Sequence, residues 1–167
     1  MAQYRRFLHQ RQPNLERLGQ EKSCPLYALS PPHPGGAEKT DRSISLVNES
    51  GRTVFIAFGN DPDIRVQEKL RTGMRPLVAI EIKGGDDFSN FSNRLGEAEK
   101  SHNQAGRAGF TECWTIVRVN LTLEKTREKS PSTTRLFHLD RIKDSSAEEH
   151  GEFRELFCSL VGIRSFP

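Results

Sequence analysis

Apolar and polar residues keep no common period over the first fifty positions, then fall into clear alternation. Within residues 1–50, Pro25 and the stretch from Ser30 to Gly36 interrupt every apolar pattern before it establishes itself. A short helix over Tyr4–Arg11 or Pro13–Gln20 is the most that Leu8, Leu15 and Leu18 support. This part is expected to be an irregular or partly disordered N-terminal arm, joined to residues 51–167 near Val47–Arg52.

From Thr53 onward the pattern predicts elements. Thr53–Phe58 is β-branched and aromatic and reads as a strand ending at Gly59-Asn60. Ile64–Glu68 alternates apolar with polar, as a half-buried strand does. Leu70–Arg75, with Gly73 inside and Pro76 after it, reads as the connecting turn. Leu77–Ile82 is almost continuously apolar, which suits a strand covered on both faces. Ser92 is expected to cap a helix over Asn93–Ala108, closed by Gly109. Glu112–Val119 is a further strand, and Leu121–Ser132 a charged loop or projecting hairpin. Leu136–Leu139 is a short strand. Glu148–Val161 places Phe153, Leu156, Phe157 and Leu160 at helical spacing and reads as an amphipathic helix. The order of elements predicts an α/β layer with a small mixed central sheet flanked by helices.

Composition narrows the setting. With 167 residues, 34% hydrophobic and 28% charged, the chain has the size of one domain and enough apolar content for one core. A net charge of +3 is compatible with a nucleic-acid partner without requiring one. Cys24, Cys113 and Cys158 lack C-x-x-C spacing, which argues for a reducing, cytoplasmic setting and against structural zinc. The N-terminus lacks the apolar stretch of a secretory signal, and no apolar run has the length of a membrane span.

The chemistry lies at the strand ends. Pro62-Asp63 opens one predicted strand, and Glu81-Ile82-Lys83 closes another. Side chains alternate along a strand, so Glu81 and Lys83 share a face while Ile82 points to the core. Pairing of the two strands would bring Asp63 to Glu81 and create an oxygen-rich site suited to magnesium, with the Ile82 carbonyl as a further ligand. Asp63 and Glu81 would hold the metal, and Lys83 would orient water or stabilise developing negative charge on a phosphodiester. Gly84 and Gly85 would let the backbone turn sharply beside a nucleic acid. The same letters also fit a turn aspartate and a solvated Glu81–Lys83 pair, since Pro-Asp followed by Glu-x-Lys arises by accident in many proteins.

Longer blocks carry a resemblance. The stretches from Ile80 to Asp87, Asn93 to His102, Gly109 to Val117 and Ser130 to Arg135 resemble the XcyI-like family of type II restriction endonucleases. The likeness covers roughly residues 52–163. It implies a restriction-endonuclease-like nuclease core over residues 51–167, with Asp63 and Glu81 as metal-binding acids and Lys83 as the catalytic lysine. It further implies Mg2+-dependent hydrolysis of both strands of double-stranded DNA at a short palindrome, of the CCCGGG type in the better-known members, by a homodimer. The family's large helical N-terminal part has no counterpart in the Pro/Gly-broken arm, and Asp86 and Phe91-Ser92 depart from the pattern. Two alternatives stay open: a catalytically inactive DNA-binding remnant, and a structure-selective repair or recombination nuclease on the same core.

Other residues carry candidate roles beside plainer ones. Asn93, Glu97, Lys100, Gln104 and Arg107 share a helix face that would border the metal or simply face solvent, with Glu97 or Lys100 supporting Lys83. His102 reads as a helix-surface histidine rather than a base. Arg52, Arg65, Lys69, Arg71, Arg75 and Arg94 are phosphate contacts or ordinary surface cations. Lys125, Arg127, Lys129 and Arg135 would arm a groove-entering loop or a charged hairpin tip. Trp114 is expected in the core rather than as a stacking platform. The apolar face of Glu148–Val161 is expected to be core, with a dimer contact as the alternative.

Overall fold

The computed structural model describes residues 37–85 and 90–164. Most of the expected N-terminal arm, including both short helices placed on it, lies outside the described residues. In chain order the elements are β1 (Ala37–Lys39), β2 (Ser43–Val47), β3 (Thr53–Phe58), β4 (Ile64–Leu70), β5 (Gly73–Lys83), α1 (Phe91–Arg107), β6 (Cys113–Val117), α2 (Leu123–Arg127), β7 (Arg135–His138), α3 (Leu139–Lys143) and α4 (Glu148–Val161).

The strands form one sheet in the order β1-β2-β3-β4-β5-β6-β7, antiparallel up to β5 and parallel from β5 to β7. The fold is mixed α/β, as the pattern predicts, with a sheet wider than expected because residues 37–47 contribute β1 and β2 where an irregular arm was expected. Ile44 and Leu46 bury against the core, which holds β2 in the sheet although its other positions are serine or half-exposed.

The expected turn over Leu70–Arg75 is also corrected. β4 and β5 continue to the pair Leu70–Gly73, so only Arg71 and Thr72 turn the chain, and Gly73 takes the positive φ of 137°. Pro76 misleads the sequence pattern. It pairs with Gln67 inside the sheet, where a register shift between Val66 and Gln67 accommodates the missing N–H.

Helices cover both faces of the β5–β7 region. On one face, Val78, Ile80 and Ile82 of β5 join Trp114, Ile116 and Phe137 against Phe153, Phe157 and Val161 of α4. Trp114 lies 5.3 Å from Phe137 and 5.6 Å from Phe153 between ring centroids, so it is packing, as expected. On the other face, Ala98 and Ala105 are small enough to let α1 approach β5 and β6 closely. This apposition is what shapes the site.

At the opposite end of the β4–β5 hairpin, the buried Glu68 carboxylate gathers three partners. Asn48 Nδ2 and Arg52 Nε each donate to Oε1 at 2.7 Å, and Arg75 Nη2 lies 2.6 Å from Oε2. Burial works to raise the Glu68 pKa, but the hydrogen bonds from Arg52 and Asn48 and the charge of Arg75 outweigh it and hold the group below its usual value. Two of the cations considered for phosphate contact are therefore engaged in holding the hairpin.

Candidate active site

The register between β4 and β5 decides which groups meet. Ile64 pairs with Ile80, so the next pair outward sets Asp63 opposite Glu81. Gly59 N–H donates to the Asp63 carbonyl at 2.8 Å and closes the loop that delivers Asp63 to this point. Ile82 N–H donates to Asp63 Oδ2 at 2.7 Å, so the aspartate side chain occupies the place of the next rung of the ladder. The backbone N–H of Asp63 lies 3.4 Å from Glu81 Oε2. Both acids are buried, at 4% and 3% exposure.

Lys83 joins them from the same face of β5. Its Nζ lies 2.9 Å from Glu81 Oε1 and 3.5 Å from Glu97 Oε2 of α1. Burial lowers the ammonium's pKa, but the hydrogen bond and charge of Glu81, with the charges of Asp63 and Glu97, outweigh it and raise the value above 10.5. Lys83 is therefore firmly cationic at neutral pH. The structure thus brings Asp63, Glu81 and Lys83 together, with Glu97 beside them. Gly84 and Gly85 follow directly, and Gly85 is closely covered: a Cβ there would fall 1.5 Å from Arg94 Nη1.

The donor set can be tested against a metal. Three carboxylates and one ammonium leave an excess of negative charge. The two acids that converge, Asp63 and Glu81, carry the hard oxygens that magnesium prefers. Among the described residues no group of three or more His, Cys, Asp or Glu side chains is arranged to hold an ion. Magnesium does not need one, because it commonly takes one or two carboxylates and completes its shell with water and substrate phosphate. The residues fit such an ion.

Helix α1 departs from expectation in its start, its working face and its histidine. It begins at Phe91 with Asn90 as N-cap, not at a Ser92 cap, because Phe91 buries with Leu95, Val117 and Val119. The face of Asn93, Glu97, Lys100, Gln104 and Arg107 is exposed, and only Glu97 reaches Lys83. His102 is not on the helix surface but 1% exposed on the sheet side. Its Nε2 and Thr115 Oγ1 are 2.8 Å apart, and burial of the ring pushes its pKa down to about 4.

Ser101 is the residue that the pattern missed. Its buried hydroxyl donates to Glu81 Oε2 at 2.8 Å. The available signal was its spacing, three residues after Ala98 and four before Ala105, on the buried stripe of α1. Beside it runs a chain of buried hydroxyls. Thr115 Oγ1 meets Thr133 Oγ1 at 2.8 Å, Thr133 donates to Ser130 Oγ at 2.9 Å, and Ser130 donates to Glu99 Oε2 at 3.2 Å. Ser132 adds its N–H and hydroxyl to Glu99 at 2.9 and 2.8 Å.

The Leu121–Ser132 segment contains a helix, α2, where a loop or hairpin was expected. Arg127, considered for DNA contact, donates to the carbonyls of Thr133 and Thr134 at 2.8 and 3.1 Å, while Lys125, Lys129 and Arg135 are exposed. A cavity of about 640 Å3 lies between β7, the segment after β6 and the start of α4. Arg135, Arg141, Glu148, Glu149 and Glu152 are among its lining residues, Arg141 Nη1 lies 3.4 Å from Glu149 Oε2, and none of Asp63, Glu81 and Lys83 lines it.

Residues 30–164 match the model of the family described as XcyI restriction endonuclease. The chain belongs to that family. It is 44% identical over 133 residues to the type II restriction enzyme XcyI of Xanthomonas campestris pv. cyanopsidis, covering 78% of this chain and 40% of that protein. It is 42% identical over 133 residues, with the same coverage of both chains, to the type II restriction enzyme Cfr9I of Citrobacter freundii. The chain thus spans about 40% of the length of these XcyI-family relatives. No solved structure matches it significantly. No helix among the described residues is long and apolar enough to cross a membrane.

Proposed function

We propose that this chain carries the catalytic core of a type II restriction endonuclease that hydrolyses double-stranded DNA with Mg2+. The observation that carries the proposal is the convergence of Asp63, Glu81 and Lys83 at one end of the β4–β5 pair, within a chain of the XcyI family. Asp63 and Glu81 are the residues that would hold the ion. The Ile82 carbonyl, which by strand alternation shares the β4 side with its N–H, would be a further ligand. Magnesium, when bound, supplies positive charge against the scissile phosphate and acidifies water nearby.

This chain's own groups do the positioning. Ile82 N–H fixes Asp63 through one carboxylate oxygen, and Lys83 holds Glu81 through the other acid's Oε1. The Lys83 ammonium also supplies a fixed donor for water or for charge developing on the phosphate. Its raised pKa keeps that donor charged throughout the neutral range. Cutting both strands of a duplex takes two such sites, so a homodimer acting in the cytoplasm is part of the proposal. Lys125, Lys129 and Arg135 are the exposed cations proposed to contact phosphate, which predicts binding that weakens as salt rises.

The test is incubation of the protein with supercoiled plasmid and magnesium. Discrete fragments support the restriction reading. Cuts confined to branched DNA would support a structure-selective nuclease on the same core. DNA binding in calcium without cleavage in magnesium would mark a catalytically inactive DNA-binding remnant. Neither binding nor cleavage would defeat all three.

A further inference from the structure

We infer that Ser101 is a positioning residue for Glu81, fixing the orientation of the carboxylate that would take the metal. The inference rests on the nuclease reading and deepens it. Ser101 is 1% exposed, and its hydroxyl donates to Glu81 Oε2 at 2.8 Å. Lys83 Nζ sits 2.9 Å from the other oxygen, Oε1. Held at both oxygens by different elements, the carboxylate cannot rotate about its last torsion without losing a charge-assisted hydrogen bond. That last torsion is broad and only weakly restrained by itself. Oε2 also meets the Asp63 N–H at 3.4 Å, so the serine supplies the shorter of its two restraints and keeps Oε1 toward the side shared with Lys83.

The bland explanation is that the hydroxyl merely satisfies a buried carboxylate as part of the packing of α1. The rest of α1 separates the two. Glu99 anchors the helix to Ser130 and Ser132, His102 anchors it to Thr115, and Phe91, Leu95 and Ala105 pack it on the sheet. The helix thus stays in place without the Ser101 bond. Removing the hydroxyl should release Glu81 and leave α1 seated.

The experiment compares the full chain with Ser101→Ala and with Ser130→Ala, whose hydroxyl lies in the Glu99 network away from Glu81. Manganese binding is measured by calorimetry, and kcat and KM for cleavage are measured at saturating magnesium. Outer ligands that orient a metal-binding group typically change affinity by about 10–100-fold. Ser101→Ala should weaken manganese binding by at least about tenfold and lower kcat, with KM for DNA unchanged. Ser130→Ala should lower the thermal midpoint without moving manganese affinity. Ser101→Ala with wild-type affinity and kcat, or Ser130→Ala with the same loss, overturns the inference. Should Ser101→Ala fail to fold, Ser101→Cys, a weaker donor of similar size, decides the matter, and wild-type values for it overturn the inference. Wild-type protein that neither binds manganese nor cuts removes the nuclease reading and this inference together. Wild-type protein that does both while Ser101→Ala matches it removes this inference alone.

Discussion

Lys83 Nζ and Glu81 Oε1 are 2.9 Å apart, with side-chain exposures of 12% and 4%. They sit two positions apart on one strand, so the pair is set by the pleat of β5 and needs no distant loop to assemble it. An ion pair this buried is costly to break from one side, because the remaining charge loses its partner where water cannot replace it. Its value here is proposed to lie in the reaction. Lys83→Ala should lower plasmid cleavage by about 10²–10³-fold, the usual range for loss of a fixed donor to developing charge. DNA binding measured in calcium should persist. Cleavage that survives the substitution would remove Lys83 from the proposed machinery.

The same pair predicts an alkaline limit. The Lys83 pKa is raised in the folded protein, so the pair's stabilisation is fully present below the unfolded value near 10.5. It is lost as pH rises through the higher folded value. Urea unfolding midpoints should therefore fall above about pH 10.5, and Lys83→Met should flatten that part of the profile. An equally steep fall in the variant would assign the alkaline loss to other groups.

His102 sets an acid limit. Its pKa is pushed down to about 4, so the folded protein keeps the ring neutral while the unfolded chain takes up a proton below about 6.5. Its contribution is complete above 6.5 and is lost as pH falls toward 4. The gap corresponds to roughly 3 kcal/mol at about 1.4 kcal/mol per tenfold change. His102→Gln, which keeps a polar partner for Thr115 but does not titrate, should show a shallower loss of stability between pH 6.5 and 4. Identical profiles for the two proteins would sink the assignment.

Glu68→Ala should destabilise the fold by roughly 2–3 kcal/mol, because Asn48 loses a buried acceptor while Arg52 and Arg75 turn to solvent. Chemical denaturation would show it as a lower midpoint at unchanged slope. Catalysis at saturating metal should be little affected in the folded fraction, since Glu68 lies at the other end of the hairpin from Asp63. A loss confined to cleavage would place this cluster in the active machinery instead.

Much of this was legible from residue order alone, and the misses share a cause. Helix α4 has the bounds that Phe153, Leu156, Phe157 and Leu160 predict by helical spacing; the two phenylalanines are buried in the core and the two leucines pack partly buried against it. That Asp63, Glu81 and Lys83 meet was legible because β4 and β5 are consecutive antiparallel strands and the pleat puts Glu81 and Lys83 on one face. β1 was not, since its three residues are all exposed and leave no apolar trace. The start of α1 and the path through Pro76 were misread because distant partners decide them, Val117 and Val119 for Phe91, and the shifted register of β4 for Pro76. Ser101 and His102 were missed or misplaced for the same reason. Their partners, Glu81 and Thr115, lie 20 and 13 positions away, and a polar residue on a helix does not announce which distant group it will meet.

Strand order in the sheet follows chain order from β1 to β7, so each strand docks beside the one made just before it. The antiparallel run from β1 to β5 can therefore assemble as a series of short-range additions, whereas the parallel pairs β5–β6 and β6–β7 need longer crossovers and close more slowly. The acid pair is complete once β5 lies on β4, whereas its restraint by Ser101 waits for α1 to close over the strand. During synthesis the acids would meet before their helical brace arrives, so a ribosome-bound chain halted before α1 would hold both carboxylates yet lack the grip that orients one of them.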